Sequence, residues 1–372
     1  MGSNATGAAT VKSPGVPSPR SSRALSLPCR ALAERASLAT VHCGPVSNDA
    51  AVRLLGAPWG DTSRRGRPYA KDPSVIRFGG QYLLYCSLPS TSDDEPEGWS
   101  VGIAESDDLV SWRTIAVLPP FGAYDRSGSA APGAVVIDGR VHLFFQTYGR
   151  GREDSICHAV SDDGVTFTPN PQNPVFRPTG DWTCGRAIDA DLVVAGDWLL
   201  LAWVTRDPSM TTQLLGTSRA RIGSAYGPAD WEQLSVGGPA LAPELPWEQD
   251  CIEAPALRWD GEQFTVFYAG AYNNAPQQIG WATSPDGRTW TRGSDEPLVP
   301  AGPEGSWNRS ESGHPGYLHD EDGREYLFFQ GNPDDGHTWL IAATELTFVD
   351  GVPTVQTERN SPDGGRTTVP VG

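Results

Sequence analysis

No apolar run in the 372-residue chain approaches the roughly 18 residues needed to span a bilayer as a helix. There is no Cys-x-x-Cys pair either. The six cysteines, Cys29, Cys43, Cys86, Cys157, Cys184 and Cys251, are widely spread, which removes the usual zinc and dithiol motifs. Several sit inside apolar strand patterns, so buried free thiols are expected rather than disulfides. Positive charge is also scarce: 28 Lys and Arg stand against 45 Asp and Glu, a net charge of −17. Such a chain repels phosphate backbones and anionic lipid, and no basic patch reverses this. Neither nucleic acid nor a membrane is an expected partner, and neutral ligands fit better. Helical periodicity is nearly missing. What the chain has in quantity is 42 Gly, 33 Pro and 13 Trp, the signature of a turn-rich β protein, and its length suits a single propeller or barrel.

Residues 1–48 differ from the rest. They are rich in Ser, Ala and Pro, carry Lys12, Arg20, Arg23, Arg30 and Arg35 against Glu34, and lack the apolar stretch of a secretory signal. A disordered leader is expected here, with a cytoplasmic location slightly favoured. Residues 49–356 are expected to form the catalytic domain, and residues 357–372 a flexible polar tail.

Within that domain one pattern is written five times, so internal repeats organise the reading. An apolar strand runs into a Gly or Asp-Gly turn and then into a second, aromatic strand. The turn-plus-strand pieces are Gly79-Gly-Gln-Tyr-Leu-Leu-Tyr-Cys86, Asp138-Gly-Arg-Val-His-Leu-Phe-Phe145, Ala195-Gly-Asp-Trp-Leu-Leu-Leu-Ala202, Asp260-Gly-Glu-Gln-Phe-Thr-Val-Phe267 and Asp322-Gly-Arg-Glu-Tyr-Leu-Phe-Phe329. Third strands recur too, as in Val101-Gly-Ile-Ala-Glu-Ser and Ile279-Gly-Trp-Ala-Thr-Ser. Four are followed by an aromatic anchor (Trp112, Phe167, Trp231 and Trp290) where a fourth strand would begin. The expected fold is all-β: a five-bladed β-propeller with four-stranded antiparallel blades around a central channel.

Aligning the repeats by their second strands puts Asp72, Ala131, Asp189, Glu253 and His314 at matched positions near the start of the innermost strand, at intervals of 59, 58, 64 and 61 residues. Inner strands line the channel, so these residues are expected to converge at one end of it. Taken singly, each acid reads as readily as a turn, cap or paired structural carboxylate. Taken together, three converging carboxylates are what glycosyl transfer to water requires: one donates a proton to the leaving oxygen, one handles the nucleophile, and one holds the charges of the others apart.

At these residues the chain resembles the five-bladed propeller glycosidases, above all glycoside hydrolase family 43 and the related families 32, 117 and 130. The resemblance covers about residues 60–350 and rests on the order of its motifs: Lys71-Asp72-Pro73, Ile188-Asp189-Ala190-Asp191, Ile252-Glu253-Ala254-Pro255 and Gly313-His314-Pro315-Gly316. It implies Asp72 as general base, Asp189 as the residue that tunes the acid, and Glu253 as general acid, with Asp191 a competing candidate for the tuning role. His314 would lie below the site near a channel water or a calcium ion. No other metal or cofactor is implied. Glu253 must then carry a proton at neutral pH while Asp72 stays ionised. Further substrate-binding candidates are Trp182, Arg186, Trp307 and Arg309, which precede inner strands, with Asn308, Tyr148, Arg206 and Gln330 beside them.

Blade two departs from the family pattern. Ser127-Gly128-Ser129-Ala130-Ala131-Pro132-Gly133 lacks both the Trp and the acid usual in family 43, and Ser-Gly-Ser-Ala is closer to family 32, whose first Asp acts as a nucleophile with retention. The long Asn-Asp-Pro-Asn-Gly signature of family 32 is missing, so inversion is the leading expectation. The expected activity is hydrolysis of a neutral, plausibly furanosidic, glycoside or oligosaccharide. The alternatives are an inverting phosphorylase and a non-hydrolytic carbohydrate-binding or biosynthetic propeller. Sialidase-like turns such as Ser284 to Trp290 belong to six-bladed enzymes and fit five repeats poorly.

Overall fold

The structure is a computed structural model that describes residues 52–55, 67–90 and 98–355. The expected leader and tail lie outside the described residues. Five antiparallel sheets form the blades. Their innermost strands are Lys71–Phe78, Ser129–Ile137, Ile188–Ala195, Ile252–Trp259 and Glu311–His319. The Gly and Asp-Gly signals sit where the inner strand turns into the second. Asp138 and Gly139, for example, have φ of 50° and 74° and close the two-residue hairpin between Ile137 and Arg140, the left-handed turn that Asp-Gly favours. The only helical element among the described residues is a 3-10 turn at Gly151–Glu153.

The apolar core is divided among the spaces between blades. Leu84, Cys86 and Leu88 of blade one meet Leu318, Phe328 and Ile341 of blade five. Phe144 of blade two meets Leu199, Leu201 and Trp203 of blade three. This arrangement follows from second strands that are buried on both faces, as in Phe264–Gly270, where every residue is buried. The sequence left the outer edge of blade five unassigned. There Val52–Leu54 pairs with Leu340–Val349, which also pairs with Val352–Val355. Residues before blade one thus close the ring on blade five.

One local device positions the site. Every inner strand breaks register near its start, between Lys71 and Ser74, Ala130 and Gly133, Ile188 and Asp191, Glu253 and Ala256, and Gly313 and Gly316. Inside each break one residue is left-handed: Asp72, Ala131, Asp189, Ala254 and His314, at φ of 57°, 44°, 51°, 53° and 45°. A left-handed non-glycine residue costs about 1–2 kcal/mol, and such strain collects where a fold needs a side chain or amide in one place. The spacing expectation is corrected here by one residue, because the fourth member of the series is Ala254. Glu253 stands instead one position earlier, where the other blades carry Lys71, Ala130, Ile188 and Gly313. Repeat length could not fix this, since the connection from blade three to blade four is longer than the others.

In four of the five blades the bulge turns an amide out of the ladder to a side-chain acceptor of the preceding blade. Gln330 Oε1 takes the Asp72 amide at 2.9 Å, Ser87 Oγ the Ala131 amide at 2.7 Å, and Gln146 Oε1 the Asp189 amide at 2.7 Å. These three acceptors sit opposite the residue before the bulge in their own blades. In blade three that place is held by Val204, opposite Ile188, and valine has no acceptor. The Ala254 amide goes instead to Asp189 Oδ2 at 3.3 Å. Two glycines allow neighbouring inner strands this close: a Cβ on Gly133 would lie 2.1 Å from the Ala190 carbonyl oxygen, and one on Gly316 2.2 Å from that of Pro73.

Candidate active site

The bulges bring Asp72, Asp189 and His314 together in the channel. His314 Nδ1 lies 3.0 Å from Asp72 Oδ1, and both side chains are largely enclosed. Burial alone would push the Asp72 carboxyl up. The His314 imidazolium, the Lys71 ammonium and the Ser87 hydroxyl more than reverse this and hold it far below the ordinary carboxylate range. Burial works against the His314 cation, but Asp72, Asp189 and Glu253 outweigh it and raise the imidazole to about 9. At neutral pH His314 is therefore an imidazolium, faced by the side chains of Asp72, Asp189 and Glu253. Asp189 is pushed up to about 6, first by burial and then by the charges of Glu253 and Asp72, with His314 and Arg186 opposing.

Glu253 is partly buried and is held by side-chain amides. Gln213 donates Nε2 to Oε2, while Gln277 Nε2 and Asn273 Nδ2 reach Oε1 at 2.5 and 3.4 Å. Gln213 leads the third strand of blade three. Gln277 stands just before that of blade four, and its own Oε1 is buried without a partner. Lys71, the residue before Asp72, donates its Nζ to Asn273 Oδ1 at 2.7 Å. The buried Glu311 takes Gln330 Nε2 at 2.7 Å and the Asn274 amide at 3.0 Å. Burial pushes Glu311 up to about 7, opposed by Lys71 and its two donors.

The remaining candidates from the sequence fall in different places. Asp191 accepts the Leu257 amide of the next blade at 2.6 Å. It is raised to about 7 by burial, against the Leu257 and Leu192 amides, and it ties blade three to blade four as Ser74 ties blade one to the Ala134 amide of blade two. Arg186 pairs with the buried Asp154 at 3.3 Å and reaches Gln213 Oε1 at 3.5 Å, one residue removed from Glu253. Trp182 stacks on Trp203 at 5.7 Å and Trp307 packs on Phe329 at 5.7 Å, both inside blade interfaces. Arg309 binds the Pro333 carbonyl and Asp335. Gln213, Asn273, Gln277, Glu311 and Lys71 were not singled out from sequence. The three amides lie at starts of third strands or in a loop that no repeat signal marks, and Lys71 and Glu311 were hidden as flanks of recognised motifs. Among the described cysteines, Cys86, Cys157, Cys184 and Cys251 are free.

His314 is engaged as a cation with Asp72, and no cluster of three His, Cys, Asp or Glu among the described residues is arranged for a metal. A groove of about 310 Å³, lined by Phe176, Arg177, Thr179 and Trp231 among others, lies on the outer flank where blade two runs into blade three. It holds none of these carboxylates.

Comparison with known proteins agrees with this architecture. Residues 68–186 match the glycosyl hydrolases family 32 N-terminal domain. A thermostable family-43 glycoside hydrolase superposes with a TM-score of 0.61 at 19% identity, covering 80% of this chain and 96% of that one. An alpha-L-arabinofuranosidase from Lactobacillus brevis gives 0.58 at 19% identity, covering 78% and 94%. The Bombyx mori family 32 beta-fructofuranosidase gives 0.60 at 15% identity, covering 83% and 65%. At this level of identity the likeness speaks for the fold: the chain is a five-bladed β-propeller of the kind these glycoside hydrolases share.

Proposed function

We propose that the protein is a glycoside hydrolase acting on a neutral glycoside or oligosaccharide, with Glu253 as proton donor, Asp72 as the group that handles the nucleophile and Asp189 as the carboxyl between them. The observation that carries this reading is the contrast between two buried acids on equivalent bulges. Asp72 is held ionised by His314, Lys71 and Ser87, whereas Asp189 is driven toward its neutral form. Environments that separate the protonation of neighbouring carboxyls are how such sites divide acid from base work. Asp189 reaches the amide next to Glu253, so its charge acts at short range on the proposed donor.

Inversion is the leading stereochemical reading. Asp72, held ionised by His314, Lys71 and Ser87, is in the protonation state that a base activating a water requires. The match of residues 68–186, which include Asp72, to family 32 favours a second reading, in which Asp72 attacks the sugar directly and configuration is retained.

The test is hydrolysis of a panel of aryl furanosides and pyranosides by the wild type and Glu253→Gln, with the first-released anomer followed by proton NMR. Inversion of the anomeric signal in the wild type is expected. Retention would move Asp72 to the nucleophile role. Equal rates in both proteins would remove Glu253 from the chemistry.

A further inference from the structure

The chain has two lysines, Lys12 and Lys71, and every other strong base is an arginine. Lys71 immediately precedes Asp72 and holds the blade-one position that Glu253 holds in blade four. A buried or interfacial cation is ordinarily served by arginine, whose rigid fork makes paired contacts, whereas lysine is a compact charge with rotatable donors. The surroundings of Lys71 suit the second kind. Its Nζ stands 4.2 Å from the ring centre of Trp339 and 5.8 Å from that of Trp99. Trp339 is itself fixed, almost fully buried and donating its indole N–H to the Gly336 carbonyl at 2.9 Å. The ammonium thus has an aromatic floor and one hydrogen-bond acceptor, Asn273 Oδ1, at 2.7 Å.

That acceptor matters because a side-chain amide has opposite ends. With Lys71 holding the oxygen, the Asn273 nitrogen must face the other way, and it lies 3.4 Å from Glu253 Oε1. Without the ammonium, no other hydrogen bond of the Asn273 side chain fixes which end it presents to Glu253. An oxygen turned toward the carboxylate would repel it and release one of the three amides that aim it. Lys71 is also faced by the charges of Asp72, Glu311 and Glu253 and by the Tyr69 phenol. The buried Glu311 binds Gln330, whose oxygen takes the Asp72 amide. One cation therefore stands between the supports of both proposed reacting groups.

We propose that Lys71 is a positioning residue of this site: its ammonium, seated on Trp339, fixes the polarity of the Asn273 amide so that Asn273 donates to Glu253 and aims the proton donor. The inference rests on the reading of Glu253 given above. It requires no contact between Lys71 and the substrate, so its effect should fall on turnover rather than on binding.

The experiment is a double-mutant cycle on the full chain, with Lys71→Met, Asn273→Ala and the double variant, and with Lys71→Arg as the charge-conserving control. Misplacement of a catalytic group is worth up to about a hundredfold. Lys71→Met is expected to lower kcat by about tenfold to a hundredfold with KM little changed. Asn273→Ala should lower it comparably, and the double variant should be no worse than the poorer single one. Lys71→Arg should recover part of the loss. Independent, multiplying losses, or a Lys71→Met protein with wild-type kcat, would overturn the proposal. A second readout does not depend on hydrolysis: the Asn273 side-chain NH2 resonances in a nitrogen-15 spectrum should shift in Lys71→Met and again in Glu253→Gln. Absence of a suitable glycoside substrate together with both shifts would fail the proposed activity while sustaining the Lys71–Asn273–Glu253 linkage. Unmoved resonances in both variants would sink the linkage itself.

Discussion

Blades two and four begin their inner strands in the same way and put the result to different use. Each has an alanine at the left-handed bulge, Ala131 and Ala254, at φ of 44° and 53°. The residue before it is Ala130 in blade two, almost fully buried, and Glu253 in blade four. The two bulge amides are also capped differently: Ala131 by the Ser87 hydroxyl at 2.7 Å, Ala254 by the Asp189 carboxylate at 3.3 Å. Ser87 in turn hydrogen-bonds the Asp72 carboxyl. Blade two has no acid at the ring, yet its backbone helps seat one in blade one, through a hydroxyl. Blade four does so directly. The difference shows how a recurring backbone need, an acceptor for a bulge amide, is turned into the fixed placement of two buried carboxyls, Asp72 and Asp189.

The largest expected effect breaks the contrast at its functional end. Glu253→Gln keeps the shape and one acceptor oxygen but removes the proton donor, and a positioned acid contributes about 10²–10⁴-fold. A fall of that size in kcat is expected on substrates with poor leaving groups, with a melting temperature lowered by no more than a few degrees. Activity within a few-fold of wild type would make blade four as inert as blade two.

The next effect separates the two caps. Asp189→Asn can still accept the Ala254 amide, so the fold should hold while the charge is lost. A one-unit displacement of a partner's pKa corresponds to about tenfold, and a loss of at least that order in kcat/KM is expected, together with removal of the pH dependence near 6 that Asp189 contributes. Ser87→Ala should act more on stability, leaving the buried Ala131 amide unsatisfied at about 1–3 kcal/mol, with only a few-fold loss in rate through Asp72. The reverse ranking, in which Ser87→Ala is the more damaging to turnover, would show that the hydroxyl matters more than the carboxylate.

Most of this fold could be read in the residues. Five Gly or Asp-Gly turns, each followed by an aromatic strand, define five blades, and second strands buried on both faces need apolar runs that are plain to see. The acids were legible because carboxylates are conspicuous at the starts of apolar strands. What could not be read was register to one residue. The pattern of Ile252-Glu253-Ala254-Pro255 is the same whether Glu253 or Ala254 takes the left-handed position, and only the ladder to Ala269 and Phe267 decides it. The aromatic candidates failed to gather for a related reason: Trp182 and Trp307 mark blade starts as clearly as any site residue, but pocket-facing and interface-facing tryptophans look alike in one dimension. Gln213, Asn273 and Gln277 are uncharged, and their role comes only from where the blades bring them.

Acid sensitivity sharpens the comparison further, because the histidine pair of blade two and the Asp189 carboxyl that caps the blade-four bulge should respond to pH with opposite sign. In blade two, His142 Nδ1 and His158 Nε2 lie 3.0 Å apart. Burial, aided by Arg140 at His142 and by His142 at His158, lowers them to about 4 and about 3. Both lie below the ordinary histidine value of about 6.5, so the neutral pair supports the fold fully above that pH. This support is lost as pH falls from 6.5 toward the folded values. Asp189, raised rather than lowered, favours the fold in its neutral form and weighs against it as pH rises toward 6. Asp191 and Glu311, both raised to about 7, act in the same sense as Asp189, so the histidine contribution is read by difference. Between pH 6.5 and 4.5, scanning calorimetry should show the wild type losing a few degrees of melting temperature relative to His142→Phe, and parallel pH profiles for the two proteins would clear the histidine pair of the effect.

The smallest expected effect tests whether the two bulges are mechanically alike. Glycine enters the left-handed region without the steric penalty of about 1–2 kcal/mol that alanine meets there, but gives back about 0.5–1 kcal/mol through the freedom of the unfolded chain. Ala131→Gly and Ala254→Gly should therefore each be neutral or stabilising by up to about 1 kcal/mol, read as equal small shifts in the urea midpoint at constant slope. Their consequences for turnover should diverge. At Ala131 the relaxed backbone reaches Asp72 only through the Ser87 hydroxyl, so kcat should change less. At Ala254 the same relaxation loosens the amide that Asp189 holds beside Glu253, and a measurable fall in kcat should accompany the gain in stability. Equal turnover in the two variants would mean that the strain at Ala254 serves the ring alone, as it does in blade two.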